Sequence, residues 1–412
     1  MSHLLRRYSS FIFAALVYFS VVIYFSIDFP YWDDYSLLRY LSLLIGDHIS
    51  FYEFLTIKHV DHYIIIPKLV SLAIVLLFGK LNFSVFAILG NLLLFILFYQ
   101  LIKGIESDIG QRLGNFIKFI LFILIFNFSN SETIFAGFYG LQVIGSNLIA
   151  IMVIGSASRK EIGKIELGVI LFLVLVGIFN QANMILIPFL IISAFIIHRR
   201  WNDSLVALLF MIFLFLVLHS LNFFQNNLGS NTINLKQISN RVFFFFSFLG
   251  SSFGMYGGEK YVIINKIFFP LSIFVGACAS IYFAYLTFTQ AVKRYTFLYL
   301  IALFYFLSGL AGAWGRGGEL PEYAMSSRYH QYSLVFLISL STICYMENKE
   351  RFKAVNANLI LIFVGIFTLF NFSFLMLQIQ RIKRIKTEVY MFPDKSEAKE
   401  ILNTAKEMGI YD

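Results

Sequence analysis

Acidic side chains and histidines cluster in one early stretch of an otherwise apolar chain. Residues 28–70 read "DFPYWDDYSLLRYLSLLIGDHISFYEFLTIKHVDHYIIIPKLV" and contain Asp28, Asp33, Asp34, Asp47, His48, Glu53, His59, Asp61 and His62. A carboxylate at a membrane boundary is costly unless it is hydrated, paired with a cation or bound to a metal. A carboxylate can also take a proton from an alcohol, and cationic or imidazole donors bind phosphate oxygens. The stretch therefore predicts a site that handles a hydroxyl group and an anion together.

The adjacent pair Asp33 and Asp34 supplies the candidate catalytic carboxylates. They follow Trp32 and open "DDYSLLRYLSLL", whose apolar spacing predicts a helix lying in the membrane interface. Both fall in the predicted first turn, where the helix dipole favours carboxylates. Capping and interfacial anchoring are an alternative explanation for the pair.

A second group of candidates lies in "KHVDHYIIIPK" and comprises Lys58, His59, Asp61, His62 and Lys68. Histidines three residues apart would share a face if this part is helical. A zinc site needs three or four ligands in tight geometry, and a divalent metal is kept as an alternative. Lysines that alternate with histidines and carboxylates favour a site that binds a phosphate and a hydroxyl group.

A third group lies in "WGRGGELPEYAMSSRYHQYSL" at 314–334, where Arg316, Arg328, Tyr329 and His330 stand at the entrance to an apolar segment. A guanidinium of fixed charge is suited to clamp a phosphate. An arginine at this depth can also extend to the lipid headgroups without binding a substrate. We expect this basic stretch and the early acidic one to meet on one face of the protein.

Two amide-bearing stretches add polar groups to the apolar segments. "FYGLQ" ends at Gln142, and "FNQAN" contains Asn180, Gln181 and Asn183. Buried amides here could line a sugar-sized cavity, or they could form hydrogen bonds at helix ends.

The elements that must position these residues follow from composition. Of 412 residues, 59% are hydrophobic and 13% are charged, whereas soluble domains carry about 25% charged residues. Apolar runs of membrane-spanning length recur along the chain, which predicts an all-α, polytopic transmembrane protein. We expect about eleven spans, near 8–27, 82–102, 116–131, 139–157, 165–181, 183–198, 204–222, 266–288, 295–313, 331–346 and 354–377.

The distribution of basic residues sets the predicted orientation. Arg6 and Arg7 precede the first span and place the amino terminus in the cytoplasm. Residues 63–79 are apolar but contain Pro67 and Lys68, and a lysine at mid-membrane costs about 3 kcal/mol. If this run rests on the outer face, the later basic connectors become cytoplasmic. The net charge of +9 is then explained by topology, and nucleic acid is not an expected partner.

The domain organisation follows from these spans. Residues 1–377 form a transmembrane catalytic domain, in which 28–81 are a first outer loop with interfacial helices. Residues 378–412 form a polar tail, in which "DKSEAKEILNTAKEMG" predicts a short amphipathic helix with Asp394 or Ser396 as its cap. A solvated end is favoured for this tail over an interfacial flap. The stretch 242–258 is the likeliest place for an unrecognised span.

The pattern resembles the GT-C superfamily of membrane glycosyltransferases, which use polyprenyl-phosphate-linked sugars. "PYWDDYSLLRY" is similar to the acidic motif of its aminoarabinose- and mannosyl-transferring members. "HVDHYIIIP" and "SSRY" are similar to motifs of Gtr-type, serotype-modifying O-antigen glucosyltransferases. The resemblance covers roughly the first 200 residues and 314–346. Tyr63 stands where those relatives have an arginine, so Lys58 or Lys68 is expected to replace that phosphate contact.

The resemblance implies an inverting hexosyltransferase at the periplasmic face of a bacterial inner membrane, with glucose as the expected sugar. The donor would be a polyprenyl-phosphate sugar and the acceptor a lipid-linked glycan or O-antigen. Asp33 would be the general base, and Asp34 would orient a sugar hydroxyl or a metal. The donor phosphate would be bound by Lys58, His59, His62, Lys68, Arg316 and Arg328. Sugar and acceptor would be bound by Trp32, Asp61, Gln142, Gln181, Tyr329 and His330.

Two other functions are compatible with a polytopic chain of this composition. An O-antigen or polysaccharide polymerase usually carries its charge in large, arginine-rich, later outer loops, whereas the densest polar cluster here comes first. A transporter or flippase tends to show paired repeats and charged or broken helices near the midplane. No repeat is visible in this sequence, which favours the transferase.

Overall fold

The computed structural model describes residues 2–60, 62–221, 223, 234–254, 256, 262–316, 318, 320–348, 365–369, 375–376 and 394–411. Every named element in these residues is helical. Six helices are long and apolar enough to cross a membrane: Phe83–Ile109, Asn115–Phe135, Gly140–Ala157, Trp201–Ser220, Ile263–Thr287 and Thr296–Arg316. The prediction of an all-helical membrane protein is confirmed in this form, and the count of eleven spans stays a prediction.

The α-helices follow one another along the chain as α1 (Ser2–Phe25), α2 (Asp34–Ile45), α3 (Phe51–Thr56), α4 (Ile65–Phe78), α5 (Phe83–Ile109), α6 (Asn115–Ile125), α7 (Ser131–Phe135), α8 (Gly145–Ala157), α9 (Lys164–Asn180), α10 (Ile187–Ile197), α11 (Trp201–Ser220), α12 (Leu235–Leu249), α13 (Val262–Thr287), α14 (Ala291–Arg294), α15 (Thr296–Arg316), α16 (Ser327–Glu347) and α17 (Lys395–Glu407). A π-helical turn, Gly140–Ile144, leads into α8. Ten of the eleven predicted spans coincide with helices, and most of 354–377 lies outside the described residues.

Two helices, α4 and α12, bear on the predicted topology. The run 63–79 forms α4, whose 14 residues reach about 21 Å, which is less than the roughly 30 Å of a hydrocarbon core. Its placement on the outer face stays a prediction. Most of the stretch 242–258 belongs to α12 and a short 3₁₀ turn, Ser251–Phe253, so the long segment predicted as an outer loop contains a further helix.

The apolar side chains pack into two cores. The larger one joins α1 with the long helices from α5 to α16. The smaller one lies between α2, α3, α4 and the start of α5, and it is completed by α17. The candidate site lies where these two groups of helices meet, because α2 contributes to one core and α16 to the other.

The C-terminal tail is not a solvated end, and that prediction is wrong for its described part. Asp394 caps α17 by accepting the N–H groups of Ser396 and Glu397, as predicted. One face of α17 buries Ile401 and Leu402 in the smaller core. The apolar face of α17 therefore packs against α2, within the segment 28–81.

Candidate active site

A polar cavity of about 60 Å³ lies between the segment 28–81 and the ends of α9, α15 and α16. Its wall is formed by Asp33, His59, Val60, His62, Tyr139, Gln142, Val143, Gln181, Arg316, Arg328, Tyr329 and Tyr332. Eight of these residues belong to the predicted site. Acidic and histidine side chains from the start of the chain thus share one cavity with arginines from near its end.

Asp33 lies at the N-cap position of α2 rather than in its first turn, and its side chain makes no capping hydrogen bond. The Tyr139 hydroxyl donates to Asp33 Oδ2 at 2.6 Å, and His59 Nε2 lies 3.2 Å from the same oxygen. Burial alone would raise the pKa of Asp33. His59, the Tyr139 hydroxyl and the charge of Arg328 outweigh burial and hold that pKa below its usual range. Asp33 is therefore a carboxylate at neutral pH, fixed in orientation.

Asp34 has a different environment from its neighbour. It is fully buried, and its two oxygens accept the backbone N–H groups of Tyr31 and Phe138, each at 2.9 Å. A Cβ on Gly137 would lie 1.8 Å from Asp34 Oδ2, so only glycine fits opposite this carboxyl group. Burial raises the pKa of Asp34 to about 7, although both hydrogen bonds oppose that rise. Asp34 joins two segments of backbone and is not part of the cavity wall.

The two histidines stand at the ends of a tight turn and not on one helix face. The backbone N–H of each donates to the carbonyl of the other, at 2.6 and 2.9 Å. His62 Nδ1 accepts the backbone N–H of Ala182 at 3.1 Å. Burial lowers the pKa of His62 to about 3, and the charge of Arg316 adds to this. The ring is therefore neutral at pH 7, with its hydrogen on Nε2, because Nδ1 is already an acceptor.

Backbone strain is concentrated beside these residues. Trp32, Val60 and Ile64 have left-handed φ angles of 50°, 53° and 48°. Left-handed backbone is a genuine outlier for a β-branched residue such as valine or isoleucine. Strained residues adjoin Asp33 and His59, and Ile64 lies two residues after His62. Strain of about 1–3 kcal/mol per residue persists at functional sites when the surrounding structure enforces it.

The opposite wall of the cavity is cationic. Arg328 lies over the rings of Tyr323 and Tyr329, at 5.7 and 5.3 Å, and its Nε has no hydrogen-bond partner among the described residues. Arg316 donates from Nη1 to the Tyr329 hydroxyl at 3.1 Å. Stacking against aromatic rings fixes a guanidinium and leaves donors for a ligand. The two arginines can therefore bind an anion opposite Asp33.

The amide groups divide between the two roles left open by the sequence. Gln142 and Gln181 line the cavity, and the Oε1 of Gln181 has no hydrogen-bond partner in the described part of the chain. Asn180 donates to the carbonyl of Gln142 and to Ser146 Oγ, and thus links α9 to α8. Asn183 donates to Ser308 Oγ on α15. The glutamines are placed to meet a ligand, whereas the asparagines join helices.

Several predicted residues lie away from the cavity wall. Lys58 donates to the carbonyl of Phe223 at 3.1 Å, and Lys68 donates to the carbonyl of Ile57 at 2.6 Å. His330 is fully buried, with its Nε2 3.0 Å from the carbonyl of Met325. Trp32 and Asp34 are also absent from the wall, and Asp61 is outside the described residues.

Four residues of the cavity wall escaped the sequence reasoning: Val60, Tyr139, Val143 and Tyr332. Tyr139 belongs to the quoted "FYGLQ" stretch, where only the amide was singled out. In a chain with 23 tyrosines, nothing marks this phenol before it is seen against Asp33.

Metal ligands are not grouped in the described residues. No set of three or more His, Cys, Asp or Glu side chains there could hold a metal ion.

Comparisons with protein-family models, curated proteins and solved structures find no match. The site is therefore interpreted from its own geometry and chemistry.

Proposed function

We propose that the protein is a GT-C-like glycosyltransferase that moves a hexose from a polyprenyl-phosphate donor to a hydroxyl group of an acceptor. The observation that carries this proposal is the position of Asp33: an ionised, oriented carboxylate faces two guanidinium groups across one cavity. Transfer from a phosphate-linked donor needs a proton acceptor for the attacking hydroxyl and cations for the departing phosphate.

The chemistry assigns a role to each wall. The acceptor oxygen attacks the anomeric carbon while the bond from that carbon to the phosphate oxygen breaks, and its electron pair leaves with the phosphate. Asp33 takes the acceptor proton, and the Tyr139 hydroxyl holds the carboxylate in place, with His59 Nε2 at 3.2 Å from the same oxygen. Arg316, Arg328 and neutral His62 offer donors to the phosphate dianion. A single displacement inverts the configuration at the anomeric carbon.

Asp33 is a weak base because its pKa is lowered. Proton transfer is therefore expected late, once the bond to phosphate has stretched and positive charge on the sugar has acidified the attacking hydroxyl. This timing makes stabilisation of the phosphate by Arg316 and Arg328 the larger requirement.

The size of the cavity limits what it encloses. Pockets for drug-sized ligands are about 300–1,000 Å³, whereas this one is about 60 Å³. The reacting groups can lie inside it, while the lipid and the remainder of the glycan must lie outside. Entry of a whole hexose therefore requires the wall to open.

The proposed setting is the periplasmic face of a bacterial inner membrane, with glucose as the sugar and a lipid-linked glycan or O-antigen as the acceptor. Six apolar helices support the membrane location. The order of acidic loop, interfacial helices and later arginines supports the resemblance that suggests the substrates.

Asp33→Asn tests the proposal, because asparagine keeps the shape and loses the base. In membranes containing a labelled polyprenyl-phosphate sugar and the lipid-linked acceptor, transfer should fall roughly 100- to 10,000-fold. The control is Asp47→Asn, at an exposed position with a left-handed φ of 56° that asparagine tolerates. Wild-type transfer by a correctly inserted Asp33→Asn protein refutes the proposal. Shortened glycan chains without loss of a side-branch sugar would indicate a polymerase.

A further inference from the structure

Lys68 occupies an unusual position for a cation. It lies on α4, and its side chain is fully buried behind the turn that bears His59 and His62. Nζ donates to the carbonyl of Ile57 at 2.6 Å and reaches the carbonyl of Leu55 at 3.4 Å. These carbonyls lie at the C-terminal end of α3, where unpaired carbonyls and the helix dipole favour a positive charge.

Aromatic rings complete the surroundings of this ammonium group. Nζ lies 5.3 Å from the ring centre of Tyr40 on α2 and 5.7 Å from that of Phe54 on α3. Cation–π contacts of this kind stabilise a desolvated ammonium. The Tyr40 hydroxyl donates to the carbonyl of Lys58 at 3.2 Å. The same side chain therefore also fixes the residue that follows Ile57.

No carboxylate of the described chain forms an ion pair with Lys68. A buried ammonium without a counter-ion is costly, and carbonyl and aromatic contacts compensate only part of that cost. Burial accordingly lowers the pKa of Lys68 to about 7. An apolar side chain would fill the same space without that cost. The hydrogen-bond donors of Lys68 therefore have a role that an apolar side chain could not fill. That role is not direct phosphate binding, because Lys68 is absent from the cavity wall.

We infer that Lys68 is a positioning residue, whose Nζ donors fix the backbone at 55–58 and so align His59 with Asp33. The effect of this alignment on sugar transfer rests on the proposed function. Fixation of the backbone is a separate statement that can be measured without substrate.

The first experiment measures the backbone. Amide hydrogen exchange is followed in the full-length protein in lipid nanodiscs for wild type, Lys68→Met and Lys103→Met, an exposed control on α5. Loss of the lysine donors should speed exchange of peptides covering 57–63 by about tenfold or more. Peptides from α15 and α16 should exchange as in wild type. Lys68→Gln keeps a donor without the charge and should give intermediate exchange, and it replaces Lys68→Met if that variant does not insert.

The second experiment separates positioning from binding. In the transfer assay, Lys68→Met should lower kcat by about tenfold or more and change the donor KM by less than about threefold, because the phosphate contacts remain. Lys68→Arg, which keeps charge and donors, should recover part of kcat. A raised donor KM with unchanged exchange at 57–63 overturns the inference and makes Lys68 a substrate ligand. Unchanged exchange with unchanged kcat overturns it as well.

Failure of the proposed function gives a different pattern. Wild type would then show no transfer, while exchange at 57–63 would still rise in Lys68→Met. The backbone role of Lys68 would stand and the enzymatic assignment would not.

Discussion

Replacement of Tyr139 by phenylalanine isolates the hydrogen bond that distinguishes Asp33 from an ordinary interfacial carboxylate. The phenol donates to Asp33 Oδ2 at 2.6 Å, which is the range of charge-assisted O–H···O⁻ bonds. Phenylalanine keeps the ring, which packs against Phe138, and removes only the donor.

The magnitude follows from the charge on the acceptor. A hydrogen bond to a charged group is worth about 1.5–3 kcal/mol, and one pKa unit corresponds to about 1.4 kcal/mol. The hydroxyl stabilises the ionised form of Asp33, so its loss should raise the pKa of Asp33 by about 1–2 units. The acidic limb of the pH–rate profile should move to higher pH by the same amount. At neutral pH, kcat should fall by about 10- to 100-fold, because the carboxylate is less firmly oriented.

The assay is sugar transfer at saturating donor between pH 4 and about pH 9, with Tyr99→Phe as the control. Tyr99 is an exposed tyrosine on α5, and its replacement should leave the profile unchanged. An acidic limb at the wild-type pH, together with wild-type kcat, would show that Tyr139 does not act on Asp33 and would refute the reasoning. A lower kcat with an unmoved limb would limit the role of the hydroxyl to orienting Asp33.

Two further predictions concern the histidine turn. The pKa of His62 is lowered to about 3 in the folded protein, while the unfolded value is about 6.5. The unfolded chain therefore binds more protons below pH 6.5. As the pH is lowered below 6.5, the free energy of unfolding should decrease by up to about 1.4 kcal/mol per pH unit because of this residue. His62→Gln, which keeps an acceptor for Ala182, should show a smaller loss of thermal stability from pH 7 to pH 5. A pH dependence equal to that of wild type would contradict this. Val60→Gly relieves a left-handed valine at an exposed position. The free energy of unfolding should therefore rise by up to about 1 kcal/mol, while sugar transfer falls. A lower unfolding temperature would show that Val60 is not strained.

The chemical types of the site residues could be predicted because the chain is so apolar. Each charged residue outside a basic connector is conspicuous, and Asp33, Arg316 and Arg328 were found in this way. Their meeting could be expected from topology, since alternating spans bring every second connector to the same face. Helix positions followed from apolar run length, which is a strong signal.

The local geometry could not be predicted, because it depends on backbone conformations that residue type disfavours. A valine at left-handed φ turns the chain between His59 and His62, and no propensity would place a turn there. Lys58 and Lys68 have the charge expected of phosphate ligands, but burial and carbonyl partners give them other contacts. The packing of α17 against α2 could not be predicted either, because an amphipathic sequence shows an apolar face but not the element it packs against.

The pair Asp33–Asp34 shows how one dipeptide can serve two needs. Asp34 links the start of α2 to the backbone of Phe138, opposite a glycine that leaves no room for another side chain. The next residue, Tyr139, then reaches back to Asp33. The buried carboxyl group of Asp34 thus sets the distance between the half-buried carboxylate of Asp33 and its phenol donor. Because both contacts run through the same short backbone segment, a small shift at Gly137 would disturb Asp33 without touching it. Capping of α2, the simplest explanation of two adjacent aspartates, accounts for neither side chain.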